Sequence, residues 1–327
     1  MDLKRFSEVF NTIVDNVNTV IHGKDDVVRL AMVAIVAGGH VLFEDVPGVG
    51  KSMLARALGA SMDAQLGRVQ CTPDMLPGDI TGSSIIDTAS MKFVFRPGPV
   101  FANILLVDEI NRATPKTQSA LLEAMAERAV SVDGTTHPLP SPFLVLATQN
   151  PVELAGTFPL PEAQLDRFLI RLSLGYPTME EEARMLTRLQ MGHPIDDLKP
   201  VVTADDVIAC QEAIRGIHVD EKVTRYILQV VHASRDNEDV LLGGSPRASI
   251  ALFRTAQALA AVSGRDFAAP DDVKKMAQPV LAHRLILKPE SRLRKRTPFA
   301  VVKDLVDDAK VPITDKMKAA QVDVFDD

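Results

Sequence analysis

The chain has no tryptophan, two tyrosines and two cysteines in 327 residues. Cys71 and Cys210 lie far apart and without ligand spacing, so neither a disulfide framework nor a thiolate metal site is expected, and a reducing compartment fits best. The seven histidines form no H-x-x-x-H or H-E-x-x-H pair, which removes the usual helical zinc signature. No stretch approaches the roughly 18 uninterrupted apolar residues of a membrane span, and the start, MDLKRFSEVF, has no apolar signal core. A soluble, cytoplasmic protein is the expectation. Basic charge is also scarce: the net charge is -7 and no basic stripe runs through the first 280 residues, so nucleic acid is not favoured as a main partner. No internal repeat or low-complexity tract is visible.

What is present is ordinary globular composition, 46% hydrophobic and 24% charged, in a chain too long for one simple core. Two domains are expected, and one stretch organises them. Residues 41 to 58, VLFEDVPGVGKSMLARAL, run an apolar strand into a glycine-bearing turn and then a helix. Such a loop, Asp45, Val46, Pro47, Gly48, Val49, Gly50, Lys51, Ser52 and Met53, binds phosphate: N–H groups near Gly48 and Gly50 can face an anion, and the helix presents its positive end there. Lys51 would reach the outer phosphates of a nucleoside triphosphate, and the Ser52 hydroxyl would join the shell of a Mg²⁺ ion. The pattern is G-x-x-x-x-G-K-[ST] with Asp45 in place of the first glycine. Aspartate tolerates unusual turn dihedrals, so the loop reads as intact.

Residues 104 to 109, ILLVDE, suit a central parallel strand, buried on both faces, whose carboxyl end opens on a ligand crevice. Asp108 would hold the metal, and Glu109 would orient or deprotonate a water; the plainer alternative is an acidic strand end without a role. FLVLATQN is a second buried strand with Asn150 at its tip, placed to sense a γ-phosphate or the lytic water. Arg167 falls where a short helix gives way to a strand at about 169 to 173, a junction too exposed for packing to explain, although a salt bridge would account for it.

The remaining signals are structural. Phe6, Val9, Phe10, Ile13, Val14 and Val17 recur at helical period, and a second helix is expected over about 27 to 37; Ile21 and Gly23, just before it, are candidates to border a nucleotide base. Residues 73 to 100 read as a hairpin-like excursion that is either a long surface loop or a partner contact. Asp133-Gly134 marks a hairpin, and Pro115 opens a helix to about 128. After Tyr176 and Pro177, capping pairs Thr178 with Glu181 and Thr203 with Asp206 introduce a mostly helical region, 178 to 310. Within it Ser245, Pro246 and Arg247 start a helix, and a cation there invites an anionic partner. The basic cluster Arg292, Arg294, Lys295 and Arg296 reads as a solvated connector.

Taken together, GHVLFEDVPGVGKS, QCTPDMLPGDITG, GPVFANILLVDEINRATPKTQSALLEAMAER, ATQNP and GTFPLPEAQLDRF closely resemble the MoxR family of AAA+ ATPases over nearly all of residues 20 to 177; GSPRAS carries a looser match beyond. The resemblance implies an α/β phosphate-loop core, a parallel sheet between helices over 1–175, followed by an α-helical lid over 176–327. It implies Walker A at Lys51 and Ser52, Walker B at Asp108 and Glu109, sensor 1 at Asn150, an arginine finger at Arg167 and sensor 2 at Arg247. ATP and Mg²⁺ are the implied ligands, with Ser52 and Asp108 toward the metal. Members are expected to form hexameric rings and to act as chaperone-like remodelers, often beside a von Willebrand factor A domain protein, in enzyme maturation or metal-cofactor insertion. A nucleotide-gated scaffold with little turnover and a DNA-acting motor are the alternatives; the acidic charge counts against the motor.

Overall fold

The computed structural model describes residues 1–88, 91–151, 156–189 and 193–312. It divides into two compact units, one of Val9–Phe168 with Leu172–Ile208, the other of Met1–Glu8 with Leu169–Arg171 and the chain from Ala209 onward. Packing thus groups the stretch just after Tyr176 with the sheet.

The chain opens with α1 (Leu3–Asn18) and α2 (Asp25–Val36), and the six-residue stripe of α1 is buried throughout. There follow β1 (Val41–Glu44), α3 (Lys51–Ser61), β2 (Leu66–Gln70), α4 (Pro77–Thr81), β3 (Gly82–Asp87), β4 (Lys92–Pro97), β5 (Ile104–Asp108) and α5 (Pro115–Glu127). Then come β6 (Ala129–Val132), β7 (Thr135–Pro138), β8 (Leu144–Gln149), α6 (Glu162–Leu165), β9 (Ile170–Leu172), α7 (Met179–Leu189) and α8 (Ala204–Ala213).

Five strands form one sheet in the order β2-β5-β8-β1-β9, and the pairs among β2, β5, β8 and β1 are all parallel. Every residue of β5 is buried, as a strand covered on both faces requires. Fully buried side chains such as Phe43, Leu106 and Leu146 each contribute about 1.5 to 3 kcal/mol. The register puts Glu44 beside Gln149 and Gln70 beside Asp108, so the strands deliver their polar ends to the same edge.

The excursion over 73–100 contains a short helix as well as a hairpin. Pro77 occupies the first turn of α4 and Asp79 Oδ2 accepts the Leu76 N–H at 2.8 Å, a cap that a Pro/Gly/Asp-dense stretch hides. The β3–β4 hairpin leaves Met91 and Phe93 more than 70% exposed. In the second hairpin, Asp133 and Gly134 both take positive φ, the two-residue turn that Asp-Gly favours.

The other unit carries α9 (Glu221–Asp236), β10 (Val240–Leu242), α10 (Pro246–Val262), α11 (Pro270–Leu281), β11 (Ile286–Leu287), α12 (Pro289–Leu293) and α13 (Pro298–Asp308). Both expected capping pairs are made: Thr178 and Thr203 exchange hydrogen bonds with Glu181 and Asp206. A short antiparallel pair, β10–β11, interrupts this mostly helical region. Of the basic cluster, Arg292, Arg294 and Lys295 are exposed as a solvated connector would be, but Arg296 is half-buried. Asp239 is buried and accepts from Ser291 Oγ at 2.7 Å and Arg296 Nε at 2.9 Å, with Arg294 at 3.5 Å. Two of the four cations therefore neutralise a buried carboxylate, whose pKa is held below the usual range first by the Ser291 and Arg296 hydrogen bonds.

Candidate active site

The loop from Asp45 to Gly50 joins β1 to α3 at the carboxyl edge of the sheet. Gly48 and Gly50 have φ of 82° and 94°, which side chains rarely adopt, and the space that a Cβ would take at either one is open to 4 Å. A cradle of backbone with clear space beside it, at the start of an eleven-residue helix, fits an anion such as a phosphate chain. Lys51 folds over the loop, donating to the carbonyls of Asp45, Val46 (3.2 Å) and Gln149 (3.3 Å). Burial pulls the Lys51 ammonium below its usual pKa, while the carboxylates of Asp45, Glu109, Asp108 and Glu44 act the other way.

The end of β5 faces this loop. Ser52 Oγ donates to Asp108 Oδ1 at 2.5 Å, and Arg68 reaches Asp108 Oδ2 at 3.1 Å. A hydroxyl and a carboxylate in hydrogen-bond contact form a pair of oxygen donors suited to Mg²⁺. Glu109 takes the left-handed conformation, φ 56° and ψ 53°, uncommon for a residue with a side chain. Its N–H donates to Thr148 Oγ1 at 2.9 Å, and its carboxylate meets Arg112 Nη1 at 2.9 Å. The following turn, Ile110–Arg112, is pinned by Gln118, whose side-chain nitrogen donates to the carbonyls of Ile110, Ala113 and Phe158.

Beside the loop lies a cavity of about 360 Å³. Pro47, Gly48 and Met53 form one wall, Leu174, Tyr176 and Pro177 another, and Ile21 and His22 a third. Of the two residues expected to border a base, Ile21 lines the cavity. Gly23 instead backs Glu181, where a Cβ would lie 1.5 Å from Glu181 Oε1.

Comparison with known proteins fixes the lineage of this arrangement. Residues 40–170 match the ATPase family associated with various cellular activities (AAA), and residues 232–305 match the AAA lid domain. Chaperone MoxR1 of Mycobacterium tuberculosis is 40% identical over 305 residues, covering 90% of this chain and 80% of its own. The chain belongs to the MoxR family of AAA+ ATPases. The uncharacterized protein YeaC of Bacillus subtilis is 49% identical over 300 residues, covering 92% of this chain and 94% of its own. The crystal structure of a Cytophaga hutchinsonii protein, provisionally named an ATPase, superposes with a TM-score of 0.89 at 35% identity, covering 95% of this chain and 97% of that one. The MoxR-family fold, a parallel sheet with helices and a helical lid, is the one built above, and the family is one of nucleotide-binding proteins.

The structure brings Asp45 to Met53, Asp108 and Glu109 together. Asn150 is buried just past β8, and its carbonyl accepts from Asn111 Nδ2 at 3.1 Å. Arg167 sits between α6 and β9 as expected, but its side chain is half-buried and Nη1 donates to the Leu122 carbonyl at 2.5 Å; the junction is less exposed than the sequence suggests. Arg247 is exposed in the first turn of α10, behind the Ser245 cap that accepts its N–H at 3.1 Å.

Asp45 is not there for its turn. It is absent from the residues with positive φ, and its carboxylate accepts from Val46 N (2.8 Å), Ser173 Oγ (2.8 Å) and Gly175 N (2.6 Å). Burial works against the charge, but the hydrogen bonds from Gly175, Ser173, Val46 and Leu174 outweigh it and hold the carboxyl below the usual range. Sequence reasoning also missed Thr148, Arg68 and Gln118. Only Gln118 carried a signal, a polar residue on the apolar side of α5.

Proposed function

We propose that the chain is a Mg²⁺-dependent ATPase that uses hydrolysis to remodel partner proteins in the cytoplasm. The observation that carries the reading is the meeting of Ser52, Asp108 and Glu109 beside the glycine cradle. Backbone N–H groups around Gly48 and Gly50 bind the phosphates, Lys51 leaves its carbonyl partners for the outer phosphates, and the base occupies the cavity between Pro47 and Tyr176. Ser52 and Asp108 would hold Mg²⁺, which neutralises charge on the phosphate oxygens. Glu109 orients the lytic water and takes its proton. Asn150 stands near that water. Arg247 contacts the γ-phosphate of its own subunit, and Arg167 leaves the Leu122 carbonyl to complete the site of a neighbour in a hexameric ring.

Family membership supports a chaperone-like role, and the relative MoxR1 is itself named a chaperone. Enzyme maturation or metal-cofactor insertion, beside a von Willebrand factor A domain protein, is the proposed setting. A nucleotide-gated scaffold would not need Glu109 aligned next to Asp108. The test is phosphate release from ATP by the purified chain, with Mg²⁺ and with the metal chelated, beside calorimetric binding to Lys51→Ala. Metal-dependent turnover, and loss of binding in the variant, are expected; a chain that binds ATP without turning it over is the scaffold.

A further inference from the structure

The departure at Asp45 lies between the two halves of the candidate nucleotide site. On one side its backbone begins the phosphate loop, with Asp45 N donating to Gln149 O at 3.3 Å. On the other, Oδ2 takes two donors from the segment that leaves β9, Ser173 Oγ and Gly175 N. That segment continues as Leu174, Tyr176 and Pro177, which wall the cavity opposite Pro47 and Gly48. Lys24 Nζ ties the third wall to it through the Tyr176 carbonyl at 3.0 Å. A carboxylate beside a triphosphate site is electrostatically unfavourable, and glycine would avoid that cost. Here Oδ1 takes the N–H of Val46 in the loop while Oδ2 takes the two donors after β9, so the carboxylate fastens one side to the other.

We propose that Asp45 is a positioning residue that holds the base pocket in register with the phosphate cradle. The inference rests on the nucleotide reading above. ATP is then a two-headed ligand. With the walls at a fixed separation, binding one end makes binding of the other effectively intramolecular. Without the fastening, each end binds as before but the two no longer reinforce one another.

The test compares ATP with inorganic tripolyphosphate by calorimetry in wild type, Asp45→Asn, Asp45→Gly and Ser173→Ala. Asn keeps the shape of Asp45 but turns an amide toward one of its donors. Gly restores the general phosphate-loop pattern. Ser173 is exposed, and its alanine variant removes one donor without touching the loop. The expected result is at least a tenfold rise in the Kd for ATP in both Asp45 variants and a smaller rise in Ser173→Ala. The Kd for tripolyphosphate should hold within about twofold of wild type, or fall because a negative charge beside the phosphates is gone. Equal losses for both ligands would mean a damaged loop and would overturn the proposal, as would unchanged ATP binding in Asp45→Gly. A wild-type chain that binds neither ligand would instead overturn the nucleotide reading, and this inference with it.

Discussion

Thr148 Oγ1 accepts the Glu109 N–H at 2.9 Å, so a buried hydroxyl on β8 fixes the backbone of the proposed catalytic base in its left-handed conformation. The same oxygen lies 3.4 Å from Asp108 Oδ1. Thr148→Val keeps the shape and leaves the Glu109 N–H without its acceptor, a cost of about 1 to 3 kcal/mol. If that cost falls on the positioning of Glu109, turnover drops roughly 5- to 150-fold. Binding of ATP should stay near the wild-type value, and Thr148→Ser should recover most of the turnover. Steady-state kinetics beside calorimetry would decide; a Thr148→Val protein with wild-type turnover would remove the residue from the mechanism.

The cradle, β5 and the Asp-Gly hairpin were legible because each is written in adjacent residues. A fully buried parallel strand must be an apolar run, and ILLVD is one. A two-residue turn with two positive φ values needs residues such as Asp133 and Gly134. Thr148, Arg68 and the partners of Asp45 were not legible because their chemistry depends on distant chain. Asp45 and Ser173 are 128 positions apart, and nothing near Asp45 announces that its carboxylate is a fastening. Likewise Arg296 looks solvated until Asp239, more than 50 residues earlier, is placed beside it.

His40 predicts acid sensitivity. Val145 N donates to its Nδ1 at 2.9 Å, which leaves Nε2 to donate to the Met125 carbonyl at 3.2 Å and specifies a neutral ring. Burial pushes its pKa down to about 4, with Arg128 acting the same way and the Met125 carbonyl opposing. The folded form therefore binds fewer protons than the unfolded form between about pH 4 and 6.5. This contribution is intact above the unfolded pKa and is lost as pH falls, by about 2 kcal/mol between pH 7.5 and 5. Urea unfolding at both values should show that much less pH dependence in His40→Asn than in wild type; parallel curves would exclude His40 as the cause.

Cys71 adjoins the site but takes no part in its chemistry. Its N–H donates to the Asp108 carbonyl at 2.9 Å, and its thiol is pushed up to about 12, by burial first and then by the carboxylates of Asp108 and Glu109. A thiol so held stays protonated and unreactive. At pH 8 iodoacetamide should leave the folded chain unmodified and label Cys71 readily in urea. Rapid labelling of native Cys71, mapped by mass spectrometry, would contradict the assigned burial.

Arg167 and Lys51 test the ring. An arginine supplied across an interface is worth about 10³ to 10⁵ in rate in other nucleotide hydrolases. Arg167→Ala and Lys51→Ala should each be nearly inactive alone. Mixed, they should regain some turnover, because a ring can pair an intact phosphate loop with an intact arginine. Native mass spectrometry would verify mixed rings, and mixed rings without activity would show that Arg167 does not act on a neighbour.

The measurement closest to the central claim is ATP binding and phosphate release by Glu109→Gln. The substitution removes the base and leaves Gly48, Gly50, Lys51, Ser52 and Asp108 in place. ATP binding at wild-type affinity in the presence of Mg²⁺ and loss of nearly all turnover are expected if Glu109 is the base. Turnover equal to that of the unaltered chain would contradict that role.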